Sequence, residues 1–442
     1  MKKAILILAL AIAARPAAAA DTLTFSFNAF ATDHLFQTKD ASSDQIYQLG
    51  LSWEKPWAAF SFFAGGEYTG LARNTGLNDV HFSAGLDRLF MLGEKTGLYL
   101  ALGGEGRIYR AEYADFNQAA IRFDAALKTY LGPSSILKAT ARSEYKSYKL
   151  SPFDRFTQTL LASVDKYFES KTTLKAEIGW GFEYFPHPWA TSATTVAGTG
   201  GASGLADLGA TDIAFVGGSP GPGSGGTSGG NSGNAGGGAV AGGSGYGGTG
   251  NGMPGSGYKG GGQGARGSLF ASSLSAPGSG SSSLQIASLS GLLAQGIGDS
   301  FGLRLSATRQ WRLSGTNPFT SVEEYYLVEN PTSDAFSWQG YGAGVQATAE
   351  LPGDINLKLG YTIVDKEFPG IAAYALDGTP LGSMRRDKRG TLDLRLEKTF
   401  ARFGVFLAAS SVRNDSSDPL FAWKGYSIQG GLTWTPFSGA GN

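Results

Sequence analysis

The sequence predicts an all-β protein, a transmembrane antiparallel up-and-down β-barrel of about 16 strands. Three observations predict it: apolar and polar residues alternate with a period of two, short turns alternate with longer polar loops, and aromatic residues crowd the segment ends. Successive side chains of a strand point to opposite faces, so each segment has one oily and one polar face. In a membrane barrel the oily face meets lipid and the polar face lines the interior.

The clearest of these segments is 174–184, where Leu174 and Ile178 lie on one face and Lys175 and Glu177 on the other. A water-soluble sandwich would show the same alternation with its charged face outward. Repetition favours the barrel, because the pattern returns in about sixteen segments, and an even number suits antiparallel closure. Alternation is poorest after residue 284, so the number of strands could differ from sixteen by two. The sequence is therefore compatible with 14 to 18 strands.

Residues 1–20 have the pattern of a signal peptide. Lys2 and Lys3 precede an apolar run to Ala14, and Ala18-x-Ala20 fits a cleavage site before Asp21. The sequence therefore predicts an exported chain whose barrel occupies 21–442. No other stretch has the roughly 18 unbroken apolar residues of a membrane-spanning helix. Cysteine is absent, which excludes disulfides and thiolate metal sites.

The charge composition limits which classes of partner the sequence supports. Lys plus Arg and Asp plus Glu both number 36, so net charge gives no support for nucleic acid as a partner. A mean hydropathy of −0.10 suits a soluble protein, and it equally suits a barrel with half of each strand facing water.

The connections alternate in character. Turns such as 132–134 and 352–354 alternate with longer polar loops such as 32–44 and 369–385, which is typical of a barrel with one short-turn rim and one external rim. The longest connection, 196–283, is rich in Gly and Ser and has too little apolar surface to offset the entropy of ordering. We expect a disordered external loop there.

The last segment, Tyr426 to Phe437, alternates up to a terminal aromatic. With the export signal and the repeated alternation, the chain resembles Gram-negative outer-membrane β-barrel proteins of porin-like size, without identifying one family. The resemblance implies residence in the outer membrane, contact with its lipid and lipopolysaccharide, and assembly by the barrel-assembly machinery. Trp434 and Phe437 resemble the insertion signal of such proteins, although residues 438–442 follow and Pro436 lacks a ladder donor.

Charged residues on the polar faces are candidates for the lumen and its constriction. Opposed acidic and basic rows would orient and sieve polar solutes, whereas the alternative is that these side chains simply pair with one another in a watery lumen. The candidates, interpreted as four successive neighbouring strands and one strand of the opposite half, are Glu105, Arg107, Arg122, Asp124, Lys138, Arg142, Glu144, Lys175, Glu177, Asp393, Arg395 and Glu397.

A basic run is expected where a loop meets the outer rim. Arg385, Arg386, Lys388 and Arg389 could bind lipopolysaccharide phosphates there through bidentate contacts, or belong to a solvated loop.

Catalytic and metal sites find little support. His34, His81 and His187 are far apart, and no spacing isolates a histidine beside a serine or an acid, so we expect neither an enzyme nor a histidine metal site, and no cofactor. Gly243-x-Gly245-x-x-Gly248 matches a dinucleotide fingerprint without the strand and helix that such a motif needs.

The sequence thus predicts a channel for passive diffusion of small hydrophilic solutes. One alternative is a sheath or export conduit whose lumen holds an electron-carrier protein or a polymer. Another is a surface structural or adhesive protein that works through its glycine-rich loop. A homotrimeric assembly also stays open.

Overall fold

The computed structural model describes residues 21–34, 43–57, 60–149, 154–187, 209–210, 254–255, 282–315, 336, 338–376 and 379–437. The predicted signal peptide and nearly all of the predicted glycine-rich loop lie outside these residues. A two-residue ladder pairs Gly209–Ala210 with Pro254–Gly255. Within the described chain, no helix is long and apolar enough to cross a bilayer.

Sixteen antiparallel strands close into one barrel, which confirms the predicted fold class. The first nine are β1 (Thr22–Thr32), β2 (Asp44–Trp57), β3 (Phe60–Leu71), β4 (Asp79–Met91), β5 (Thr96–Tyr109), β6 (Gln118–Gly132), β7 (Ser135–Tyr148), β8 (Arg155–Tyr167) and β9 (Thr172–Phe185). The other seven are β10 (Ser282–Ile297), β11 (Phe301–Gly315), β12 (Gln339–Leu351), β13 (Ile355–Tyr374), β14 (Pro380–Thr399), β15 (Phe403–Ser416) and β16 (Trp423–Phe437). Neighbours in the sequence are neighbours in the barrel, and β1 pairs with β16 to close it.

The two rims differ as predicted. The short-turn rim carries both ends of the barrel and the tight connections, such as 133–134 between β6 and β7. The long-loop rim carries the longer connections, including 186–281 between β9 and β10 and 316–338 between β11 and β12. Short 3-10 helices at Thr75–Leu77, Ala111–Phe116 and Pro419–Phe421 lie within its loops.

The predicted boundary of the glycine-rich loop is wrong by two residues. Ser282 and Ser283 belong to β10, because they pair with Phe185 and Tyr184 of β9. The ladder continues without a break to Gln295 opposite Thr172, so β9 and β10 are direct neighbours despite the long connection between them.

The predicted loop 369–385 is also wrong. It is mostly strand, because β13 and β14 are 20 residues each and remain paired, with two irregularities, as far as Tyr374 opposite Pro380. A tilted strand crosses a bilayer in roughly 9–11 residues. The hairpin of β13 and β14 therefore projects well beyond the long-loop rim.

An apolar belt covers the outside of the barrel. Leu49, Ile178 and Ile428 are 55%, 61% and 60% exposed, and similar residues recur on alternate positions around the barrel. Exposed aromatic side chains mark both rims, with Trp57 and Phe400 on the short-turn side and Tyr145, Tyr341 and Tyr426 on the long-loop side. Exposure of this extent suits lipid rather than water, and the aromatic rings match headgroup girdles.

Strand β16 ends with a bulge. Phe25 lies opposite Trp434 but Leu23 lies opposite Phe437, so three steps on β16 match two on β1. Pro436 falls inside this step, and a proline has no N–H to give to the ladder. The strand therefore reaches Phe437, as the sequence predicts, at the cost of regular pairing.

Candidate functional site

The interior face of the barrel is polar. Along β14, Thr391, Asp393 and Arg395 alternate with the exposed Leu392 and Leu394, and the face opposite an apolar exterior is the lumen. The same parity places all of the predicted lumenal candidates on the interior face: Glu105 and Arg107 of β5, Arg122 and Asp124 of β6, Lys138, Arg142 and Glu144 of β7, Lys175 and Glu177 of β9, and Asp393, Arg395 and Glu397 of β14.

On β6 and β7 the candidates form ion pairs within one wall. Asp124 accepts a hydrogen bond from Arg142 at 2.5 Å and lies 2.9 Å from Nε of Arg122. Lys146 lies 3.5 Å from Glu144 and 3.8 Å from Glu105. These contacts support the simple pairing interpretation for this part of the wall, because each charge has an opposite charge beside it.

Lys175 and Glu177 do not continue the neighbouring strands as expected, because β8 lies between β7 and β9. Glu177 lies 2.7 Å from Lys175 of its own strand. Strand β8 supplies Asp165, which accepts a hydrogen bond from Lys138 of β7 at 2.5 Å. It also supplies Arg155, which contacts Glu183 of β9 at 3.3 Å.

Arg107 lies at the long-loop end of β5 rather than at mid-height. Its guanidinium is buried, 3.4 Å from Asp79 of β4 and 3.4 Å from the hydroxyl of Tyr109. At this position Arg107 links the ends of neighbouring strands near the mouth of the barrel, and it does not lie in a constriction at mid-height.

The candidates of β14 are also bonded to neighbours. Glu397 accepts hydrogen bonds from Lys358 of β13 at 2.5 Å and from Arg395 at 2.9 Å. Asp393 accepts one from Ser410 of β15 at 2.7 Å, and the Arg395 guanidinium lies 4.1 Å from the Phe406 ring centroid. The basic and acidic groups of this strand therefore largely neutralise each other.

The lumenal wall formed by β2 to β4 carries acidic residues that were not among the candidates predicted from the sequence. Glu54, Glu67 and Asp87 face the lumen there, whereas the basic Lys55 and Arg88 fall on the exterior parity of β2 and β4. Arg88 lies over the rings of Phe60 and Phe90. In a closed ring of sixteen strands, β3 lies opposite β11.

Strand β11 carries a basic residue of a different kind. Arg304 faces the lumen, and its Nε and Nη2 make no hydrogen bond with the described chain. Its cross-strand neighbours are Ala294 of β10 and Gln346 of β12, neither of which is acidic. The alternation around Leu303 and Leu305 was sufficient to predict that Arg304 faces the lumen. Which residues lie beside it depends on the strand register, which the sequence does not show.

Apolar clusters narrow the mouth at the long-loop rim. Leu77 and Tyr113, from two loops, pack with Phe30, Ile46 and Leu71 on the inner side of β1 to β3. Farther round, Leu284 and Ile286 of β10 pack with Phe336.

The side chains of Asp and Asn residues bond the backbone at the same rim. Asp44 accepts hydrogen bonds from the N–H groups of Arg73 and Asn74, each at 3.0 Å. Asp418 accepts from Tyr374 and Leu420, also at 3.0 Å each. Burial raises the pKa of Asp418, and these two N–H bonds act in the opposite direction by favouring its ionised form.

The basic run expected at the outer rim is divided between two faces. Arg385 and Arg389 lie on the face of β14 that points into the barrel. Arg386 and Lys388 lie on the face that points outward. The prediction that all four lie in a loop is wrong, because β14 remains paired through them. Arg385 is buried inside the mouth, 3.5 Å from the Phe421 ring centroid and 4.4 Å from that of Phe368, with Asp387 bonded to its guanidinium.

Trp434 belongs to the short-turn rim girdle. It is 39% exposed and stacks on Phe25 at 5.4 Å and Phe403 at 6.1 Å between ring centroids. The side chain of Phe437 lies outside the described residues, and the insertion role of this pair stays a prediction. The described residues contain no group of three or more metal-ligating side chains.

Comparisons with known proteins add similarity of overall shape. No protein-family model matches the sequence, and no curated protein matches it. Among solved structures, a bacterial polysaccharide outer membrane secretin is 8% identical, with 93% of this chain and 98% of that chain covered and a TM-score of 0.48. OccD3 (OpdP) of Pseudomonas aeruginosa is 9% identical over 94% and 92% of the two chains, with a TM-score of 0.47. OccAB1 of Acinetobacter baumannii is 9% identical over 95% and 97%, with a TM-score of 0.46.

These likenesses are too distant to indicate a function. The class of the protein rests on its own closed antiparallel topology, its apolar exterior and its polar interior. By those features the chain is an outer-membrane β-barrel of the Gram-negative type.

Proposed function

We propose that the barrel is a channel for passive diffusion of small hydrophilic solutes across the outer membrane. The observation that carries the proposal is a closed ring of sixteen strands whose inner face is polar and charged. Rings of about 16 strands generally leave an aqueous passage, whereas about eight are filled by their own side chains.

Charge distribution supports a channel that orients solutes without strongly selecting one sign. Glu54, Glu67 and Asp87 line one wall, and Arg304 lies on the facing strand β11. A field across the lumen acts on dipolar and zwitterionic solutes. Acidic and basic residues are equal in number over the whole chain, so we expect weak ion selectivity.

Single-channel conductance in planar bilayers tests the proposal, with detergent-purified, folded full-length protein. We expect stable, stepwise conductance with weak preference between small cations and anions. The same sample after heat denaturation is the matched control for detergent leak and contaminants. A folded sample that never conducts would contradict the channel.

A sheath or conduit around a partner stays the alternative to an open channel. On β10, Leu284 and Ile286 face the interior, but they are buried and pack with Phe336, so they offer a partner no free apolar surface. Silence of the isolated barrel, together with conductance or occupancy only when a partner is supplied, would favour this candidate.

The proposal assigns transport rather than catalysis to the lumen, and no cofactor. His81 faces the lumen and lies 3.8 Å from Glu105, which itself lies 3.8 Å from Lys146. These contacts place His81 within the ion-pair network of the wall. An adhesive role and a homotrimer remain alternatives that the contacts of the described residues do not address. Deletion of the glycine-rich segment tests the adhesive role.

A further inference from the structure

Charged residues on the lipid-facing side are unevenly distributed at the long-loop rim. Among the described residues, β1 to β10 carry none at exterior positions near that rim, while their exterior Lys55, Arg88 and Lys166 lie toward the short-turn rim. On β14 to β16 the exterior positions hold Arg386, Lys388, Arg413 and Lys424 together with Asp415, and the adjacent β13 holds Asp365 and Glu367. We call the four basic residues the outer basic cluster.

The cluster is contiguous in the ladder. Arg413 of β15 pairs directly with Lys424 of β16 and with Gly390 of β14, two residues from Lys388. Adjacent strands are about 4.8 Å apart, so the four cations extend across roughly 10 Å of the barrel surface.

Three acidic residues, Asp365, Glu367 and Asp415, share this surface with the four cations and leave it with a net charge of one positive unit. Asp365 accepts two hydrogen bonds from Arg386, both at 2.8 Å, and Asp415 accepts one from Arg413 at 3.0 Å. The two arginine side chains remain 63% and 71% exposed. A guanidinium has five N–H donors, so each keeps donors for a further ligand.

The two lysines are exposed and form no ion pair within 4 Å with the described residues. Lys388 lies directly opposite Asp365 and Asp415 in the ladder, whereas Lys424 lies opposite Arg413. Lys424 lies 5.6 Å from the ring centroid of Tyr426, directly above the apolar belt.

Below the cluster, the same strands present Leu392, Tyr426 and Ile428, which are 48%, 54% and 60% exposed. A ligand with an anionic head and acyl chains would fill both levels at once. A soluble anion would contact only the upper level, and solutes passing through the lumen do not reach this outer face.

We propose that the outer basic cluster binds the phosphate groups of a lipid in the outer leaflet, with its acyl chains on the apolar belt below. Charge-assisted bonds from guanidinium and ammonium groups to phosphate supply the recognition. The proposal needs only the membrane location and does not depend on solute transport. It replaces the expected loop site, because Arg385 and Arg389 face inward.

Lipid binding by the full-length protein in neutral detergent micelles tests the proposal. The probes are diphosphorylated lipid A, the same lipid with both phosphates removed, and inorganic phosphate alone. The variant K388Q/K424Q removes the lysines and leaves both arginine ion pairs. The matched control K55Q/K166Q removes exterior lysines near the short-turn rim. Heat-modifiable gel mobility verifies that each variant is folded.

Each lysine near an anionic surface contributes about 1 kcal/mol. We therefore expect the apparent Kd for diphosphorylated lipid A to rise roughly ten- to thirtyfold in K388Q/K424Q. The control should match the unmodified protein, and removal of both phosphates should weaken binding to the unmodified protein.

Three results would overturn the proposal. The first is equal lipid binding by the two double variants. The second is binding of inorganic phosphate as tight as that of the lipid, which would indicate a site for free anions. The third is a change in oligomeric state in K388Q/K424Q with lipid binding intact, which would make a second copy of the chain the occupant.

Discussion

At the scale of single residues, Asp44 is the most heavily bonded acid at the long-loop rim. It accepts hydrogen bonds from the backbone of Gln45, Arg73 and Asn74 and from the side-chain amide of Asn74. Bonds to a buried carboxylate are stronger than neutral ones. We predict that Asp44→Ala loosens the loop 72–78 by about 3 kcal/mol, which corresponds to cleavage by trypsin after Arg73 roughly a hundredfold faster.

Asp415→Ala is the control for this prediction, because Asp415 is exposed and bonds only to the exposed Arg413 among described residues. Exposed pairs contribute about 0 to 1 kcal/mol, so we expect little change in cleavage. Equal protease resistance of the Asp44 variant and the original protein would show that the loop is held by its apolar contacts instead.

The facing lumenal charges give a second prediction at this scale. Arg304→Gln should shift the reversal potential in a salt gradient toward cation preference, and Glu54→Gln with Asp87→Asn should shift it toward anion preference. A unit charge about 10 Å from a passing ion in water is worth about 0.4 kcal/mol, or about twofold in local ion concentration.

Lys166→Gln removes a charge from the exterior and should leave the reversal potential unchanged. Shifts in the same direction for the acidic and basic variants would rule out an opposed field. Both shifts are measured as changes in permeability ratio, so they remain readable if a variant also changes total conductance.

At the scale of elements, the projecting hairpin of β13 and β14 depends on Arg385. Its guanidinium lies between Phe368 and Phe421 and is bonded to Asp387. Breaking a buried pair costs about 3–5 kcal/mol, because the remaining charge is buried without a partner. We predict that Arg385→Ala lowers the free energy of unfolding by about that amount, measured by urea titration in lipid vesicles.

A double-mutant cycle separates charge from packing. Arg385→Ala with Asp387→Ala should lose less than the sum of the two single variants, because neither charge is then left alone. Additive losses would mean that the arginine acts through its aromatic contacts rather than through the aspartate.

The same hairpin shows where sequence reasoning stops. Period-two alternation predicted β9 and the lumenal face of β14, since parity is a local property of a strand. Phe368, Pro369 and Gly370 interrupt that alternation, so the sequence predicted a loop where the ladder resumes after an irregularity. A proline and a glycine indicate a break in pairing but not how long the break lasts.

The sequence predicted which charged side chains face the lumen, but it did not predict which of them form ion pairs with one another. Alternation assigned Glu105, Lys138 and Glu397 to the interior, and the structure places them there. Register and closure decide which charges meet, and both come from pairing between distant segments. The facing sectors that contain Glu54 and Arg304 therefore needed the ring, because opposition is a property of all sixteen strands.

At the scale of the whole molecule, the ring is complete without the glycine-rich segment. Strands β9 and β10 pair from Phe185 opposite Ser282 down to the short-turn rim, so a short turn could join them as it joins their neighbours. Closing a flexible loop costs about 0.6 kcal/mol for each doubling of its length. The long connection 186–281 then opposes closure of this strand pair in proportion to the logarithm of its length.

Removal of 190–279 should therefore leave the barrel folded and raise its free energy of unfolding by up to about 2 kcal/mol, because about four doublings of loop length are removed. The measurement is urea titration in vesicles, with single-channel conductance recorded on the same preparation. If the segment lies outside the pore, conductance should equal that of the full chain, and any loss of surface adhesion would then belong to the segment alone. A full chain that is silent beside a conducting deletion variant would instead make the segment a plug. A scrambled segment of the same composition is the control, since it preserves loop length and should restore the original stability.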